Sequence, residues 1–162
     1  MPKKLPIGIQ SFVEIRTENY YYVDKTPFVK KLVDEGKYYF LSRPRRFGKS
    51  LFLDTLRQAF LGQKDLFRGL FLENNWDWSK KYPVIYISFG AGVIRSVKEI
   101  RLKIDSILEK NARPYQVSLS KPLFSDRFEE LIANLAENYN QKVVVLIDEY
   151  DGSVHPTVEI VE

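Results

Sequence analysis

Ser42–Ser50 reads SRPRRFGKS, with the apolar run Tyr38-Tyr39-Phe40-Leu41 before it and the apolar-periodic segment Leu51–Phe60 after it. This stretch decides the fold, because a strand that hands over to a helix through a polar loop is the setting of phosphate-binding loops. A Gly48-Lys49-Ser50 triplet opening a helix offers backbone N–H groups left unpaired by the helix geometry, a positive helix end, an ammonium, and a hydroxyl able to ligate magnesium. Each favours a polyphosphate. The full pattern GxxxxGK[ST] wants glycine five places before Gly48, and Arg43 stands there, ahead of a proline that biases it to extended geometry. The loop must enter its turn by another route.

Upstream, Leu5 to Val23 mixes Gly8, short apolar clusters and Tyr20-Tyr21-Tyr22, tyrosines that read first as strand and core packing. A second reading gives residues ahead of the loop to the lining of an adenine pocket. Thr26 reads as an N-cap with Pro27 at the first helical position, and Phe28, Val29, Leu32 and Val33 share a face before Gly36 stops the helix. Downstream, Leu61–Trp78 is broken by glycines and asparagines and supports a turn or two of helix at most, with Trp76 and Trp78 as packing residues.

Pro83–Phe89 carries the run Val84-Ile85-Tyr86-Ile87, suited to a strand buried on both faces. Ser96 and Glu99 make a capping box, and Val97, Ile100, Ile104, Ile107 and Leu108 recur at helical spacing, so a helix is expected to run to about Lys110. A further helix begins near Ser125, with Phe128, Leu131, Ile132, Leu135 and Ala136 inward and a turn at 138–141. Lys142–Glu149, KVVVLIDE, is the strongest strand signal in the chain. Apolar on both faces, it belongs inside a parallel sheet, with its carboxylates at the C-terminal edge, where open α/β sheets bind ligands.

Those carboxylates form the second half of a nucleoside-triphosphate site. Asp148 would hold magnesium through water while Ser50 ligates it directly, and Glu149 would orient and deprotonate the attacking water. Composition agrees with a globular domain: 162 residues, 44% hydrophobic, and a formal charge of +4 that suits an anionic ligand without demanding nucleic acid. With no cysteine, a metal must be held by oxygen ligands. No signal peptide or membrane-spanning run is legible, so a cytoplasmic location and no membrane partner are expected.

Taken together, YYYVDKT (Tyr20–Thr26), YYFLSRPRRFGKSL (Tyr38–Leu51), YPVIYISF (Tyr82–Phe89) and VVVLIDEYD (Val143–Asp151) resemble the AAA-ATPase-like family of bacteria and archaea, whose members commonly carry a restriction-endonuclease-like domain further along. Arginine routinely replaces the first loop glycine in that family, so Arg43 fits it. The resemblance implies an α/β chain with a three-layer P-loop NTPase fold and a mostly parallel sheet, its domain spanning residues 1–151. It implies ATP and Mg2+ as ligands. Arg43, Pro44, Arg45, Arg46, Phe47, Gly48, Lys49 and Ser50 then form the phosphate loop, Ser50 and Asp148 hold the metal, and Lys49 and Glu149 are catalytic. Asp24 and Lys25 match a family motif placed near the nucleotide base.

After Asp151 the chain departs from that pattern, and 152–162 reads as a divergent tail containing His155, an exposed tail residue. The expectation is a domain truncated after the acidic (Walker B) strand, with the loop strand left as an unpaired edge open to another protein chain. Loss of sensor and arginine-finger groups would leave nucleotide binding without turnover. Nucleic-acid binding through Arg43, Arg45 and Arg46, with tyrosines stacking bases, is the alternative.

Overall fold

The computed structural model describes residues 3–42, 47–90 and 96–148, together with the backbone of 157–161. In chain order these form α1 (Phe12–Thr17), α2 (Thr26–Glu35), β1 (Tyr38–Phe40), α3 (Lys49–Phe60), α4 (Leu72–Asn75), β2 (Val84–Ser88), α5 (Val97–Ala112), α6 (Phe124–Tyr139), β3 (Val143–Asp148) and β4 (Thr157–Val161). Short 3-10 turns lie at Lys64–Phe67 and Arg113–Tyr115. Helices and strands mix in the manner of an α/β chain.

The strand with the longest aliphatic run sits inside the sheet, and its alternation sorts the core. Val144 and Leu146 of β3 point into one apolar cluster with Val84, Leu53, Leu56, Phe60 and Phe12. Val143 and Val145 point into a second, with Ile85, Leu108, Leu131 and Leu135. Successive side chains of a strand face opposite ways, so β2 and β3 form the middle layer. Helices α1, α3 and α4 lie on one side, α5 and α6 on the other.

The sheet order is β1-β4-β3-β2. β2 and β3 are parallel, with Ser88 opposite Asp148. β4 runs antiparallel to both β3 and β1. Two expectations are corrected here. A strand does follow the acidic one and joins β3 to the loop strand, so the chain is not cut short there, while β1 lies at one end of the sheet order, the edge position expected for it. The sheet is also mixed rather than mostly parallel, one of its three pairings being parallel. The cause is chain length: only residues 149–156 separate β3 from β4, whereas a parallel return needs a crossover of about a dozen residues or more.

Local chemistry accounts for the starts of three helices. In α1, which the sequence reading did not foresee, Ser11 accepts from the Glu14 backbone N–H at 3.2 Å, and Phe12 and Ile15 are buried. Phe12 packs its ring on Tyr22 and Phe67, and Trp76 and Trp78 join the same aromatic cluster through Phe60 and Phe67. α2 begins one residue earlier than expected: Thr26 is its first residue, and Asp24 takes the capping work assigned to Thr26. Ser96 caps α5 as expected, accepting from the Glu99 N–H at 3.2 Å.

The apolar spacing of α5 overstates its buried face. Val97 and Ile100 are exposed, and burial begins with Ile104 and Leu108. Contact with β2 and α6 comes from the later turns, where Tyr115 and Asn111 reach the sheet. α6 keeps all five of its expected inward residues in the second cluster.

Candidate functional site

Gly48 has φ 73° and ψ 28°, the left-handed conformation that favours glycine, and the chain passes from it directly into α3. A side chain on any other residue would be strained here. Lys49 and Ser50 then occupy the first turn of α3, both half-buried, with the helix's unpaired N–H groups and positive dipole end beside them. A cavity of about 270 Å³ opens between α2 and this turn, lined among others by Lys25, Phe28, Leu32, Phe47, Gly48 and Lys49. Lys31, Glu35, Leu41 and Phe52 complete the lining, which is mostly apolar and carries three ammonium groups and one carboxylate.

Lys25 reaches this place from the start of α2, with its Nζ 3.9 Å from where a Cβ on Gly48 would lie. Asp24 does not line the cavity. Its carboxylate accepts from the Thr26 N–H at 2.8 Å, the Thr26 hydroxyl at 2.7 Å and the Phe71 N–H at 2.8 Å. Burial pushes the Asp24 carboxyl up, but these donors together outweigh it and hold it below its ordinary value. The Thr26 hydroxyl in turn accepts from the Leu72 N–H at 3.2 Å. Asp24 and Thr26 thus tie the entry of α2 to α4 and fix where Lys25 emerges.

At the other end of the site, Asp148 closes β3 with 5% of its surface exposed. Tyr86 lies two residue pairs back on the neighbouring strand, on the same face, and its hydroxyl donates to Asp148 Oδ2 at 3.0 Å. Burial first, and then the Asp148 charge, push the Tyr86 phenol well above its usual range, so it stays a donor. The Arg57 guanidinium of α3 sits 5.3 Å from the centre of the Tyr86 ring. Sequence reasoning took Tyr86 as packing. Its position beside a strand-terminal aspartate was the available signal, but the register that joins them is set by the sheet.

Arg43, Pro44, Arg45, Arg46, Glu149 and His155 lie outside the described residues. Among the described residues the structure brings Lys25, Phe47, Gly48 and Lys49 to one cavity, and α3 packs against β3, the strand that carries Asp148. It forms no group of three or more metal-ligating acidic or imidazole side chains among them. The donor set suits magnesium nonetheless, because that ion keeps several waters and takes one or two protein oxygens. A carboxylate as buried as Asp148, with one donor hydrogen bond among the described residues, has acceptor sites to spare. Ser50 and Asp148 are the oxygen donors the sequence offers for such an ion, and neither lines the cavity between α2 and α3.

The match to known proteins falls on this same frame. Residues 6–161 match the model of the AAA-ATPase-like family, described as Predicted AAA-ATPase. The chain belongs to that family. It is also 51% identical over 153 residues to a protein of Azotobacter chroococcum mcd 1, "Uncharacterized protein in vnfD 5'region". That alignment covers 94% of this chain and 30% of the relative, so the chain spans under a third of the relative's length. No solved structure matches. Among the described residues no helix is long and apolar enough to cross a membrane.

Proposed function

We propose that this chain is a P-loop nucleotide-binding domain that takes Mg-ATP at the start of α3. The observation that carries the reading is the left-handed Gly48 leading into Lys49 at the rim of an apolar cavity that Lys25 also lines. Unpaired helix N–H groups, a dipole end and two ammoniums suit the triphosphate. The apolar side chains of the lining suit a flat base, since stacking and burial need no matching charge. The family's AAA-ATPase description points the same way.

In this reading Lys49 and the loop backbone bind the outer phosphates, with Arg43 to Phe47 completing the loop, and Asp24 positions Lys25 at the nucleotide. Held by Ser50 and Asp148, magnesium would neutralise charge building on the phosphate oxygens. Glu149, next to Asp148 in sequence, orients a water and takes its proton for in-line attack. Binding needs only the first group of residues; turnover needs Glu149 as well.

Titration with a fluorescent ATP analogue, with and without magnesium, tests the two parts separately. Lys49→Ala is expected to abolish binding, whereas Glu149→Gln leaves affinity intact and removes phosphate release. Equal ATP affinity in wild type and Lys49→Ala would overturn the nucleotide reading.

A further inference from the structure

We propose that Tyr86 is a positioning residue for the metal-side carboxylate, holding Asp148 in one orientation so that one oxygen is committed to the protein and the other is left for a divalent cation. The inference rests on the nucleotide reading above and deepens it. Geometry carries it. In the parallel β2–β3 register Tyr86 pairs with Leu146 and Ser88 with Asp148, so Tyr86 and Asp148 are diagonal neighbours on one face. The phenol bridges that diagonal with a 3.0 Å hydrogen bond to Oδ2.

Tyr86 is itself gripped from two further sides. Its backbone N–H donates to Asn111 Oδ1 at 2.7 Å, and its carbonyl accepts from Asn111 Nδ2 at 2.9 Å. Its ring lies under Arg57, on the helix that begins at the phosphate loop. A phenol so fixed can set a carboxylate's rotation. Asp148 is buried, and a buried carboxylate is costly unless its acceptor sites are filled. One neutral donor fills one of them, and a divalent cation or its water is the chemistry that suits the rest.

Tyr86→Phe keeps the ring and the guanidinium contact and removes only the hydroxyl, so it separates positioning from packing. The measurements are Mn2+ binding to the protein by electron paramagnetic resonance, and affinity for the fluorescent ATP analogue across a Mg2+ titration. Tyr86→Phe is expected to raise the Mn2+ and Mg2+ midpoints about tenfold, the scale of one lost hydrogen bond to a charged group, while metal-free nucleotide affinity stays within about twofold. Tyr115→Phe, which loosens the same strand at Val84 without touching Asp148, is expected to lower the melting temperature and leave both midpoints in place. A Tyr86→Phe protein with unchanged midpoints, or a Tyr115→Phe protein that shifts them equally, overturns the proposal. A wild type that binds neither metal nor nucleotide overturns the nucleotide reading and this inference with it.

Discussion

Asp24 illustrates how a residue can brace a cavity it does not line. Three donors converge on its carboxylate, from Thr26 twice and from Phe71, and its folded-state ionisation lies below the ordinary value of 3.8. A carboxyl depressed on folding contributes stability that is present above the unfolded value and is lost as pH falls through the folded one. Melting temperatures measured from about pH 6 down to about pH 2.5 are therefore expected to show wild type above Asp24→Asn at the neutral end, with the gap closing below about pH 4. A gap constant across that range would mean the carboxylate charge contributes nothing. Gly36 shows a different constraint. Its backbone is extended, which any residue adopts, and a Cβ there would lie 2.9 Å from the Tyr39 hydroxyl, so a larger residue asks the tip of that side chain to shift. Neither role could be read from the chain, because Phe71 and Tyr39 reach these residues only after folding. Gly48 could be read, since a glycine between a loop and an amphipathic helix announces its own turn.

Among the strands, β2 lies at one end of the sheet order, and its open side is closed by side chains. Tyr115 accepts from the Val84 N–H at 2.7 Å and donates to the Val84 carbonyl at 3.1 Å, and Asn111 does the same for Tyr86. Backbone groups that would otherwise recruit a foreign strand are satisfied within the chain. Removing either side chain's polar atoms strands a buried N–H and C=O, at a cost of about 1–3 kcal/mol. Tyr115→Phe and Asn111→Ala are each expected to lower stability by that amount in urea unfolding and to raise light scattering during refolding. Unchanged scattering in both would show that this edge was never at risk. The helices and strands themselves were largely legible. Ser96 with Glu99 announced α5, and the aliphatic run at Val143 announced β3. Val97 and Ile100 share the helical spacing of α5 yet lie exposed, because periodicity marks a stripe but not how far a neighbouring element reaches along it. Likewise α1 escaped notice because six residues are too few for a period to stand out.

For the molecule as a whole, β3 belongs to both apolar clusters at once, and β4 joins it to the loop strand. Val158 is paired on both sides, with Tyr39 and with Leu146. Proline there removes a ladder donor from an interior strand. Val158→Pro is expected to detach β1 and broaden the thermal transition, and a transition as sharp as wild type's would place the sheet's integrity elsewhere. The α/β class was readable because buried runs alternating with helices admit few arrangements. The antiparallel return of β4 was not, since it depends on how few residues separate it from β3 rather than on any residue type. That return also sets an order of events. The paired residues of β1 and β4 lie about 120 positions apart in the chain, a separation of the kind that slows folding. Among the described residues β1 pairs in the sheet with β4, so its place there waits on residues 157–161. The strand that leads towards Gly48 is thus written early in the chain and braced last.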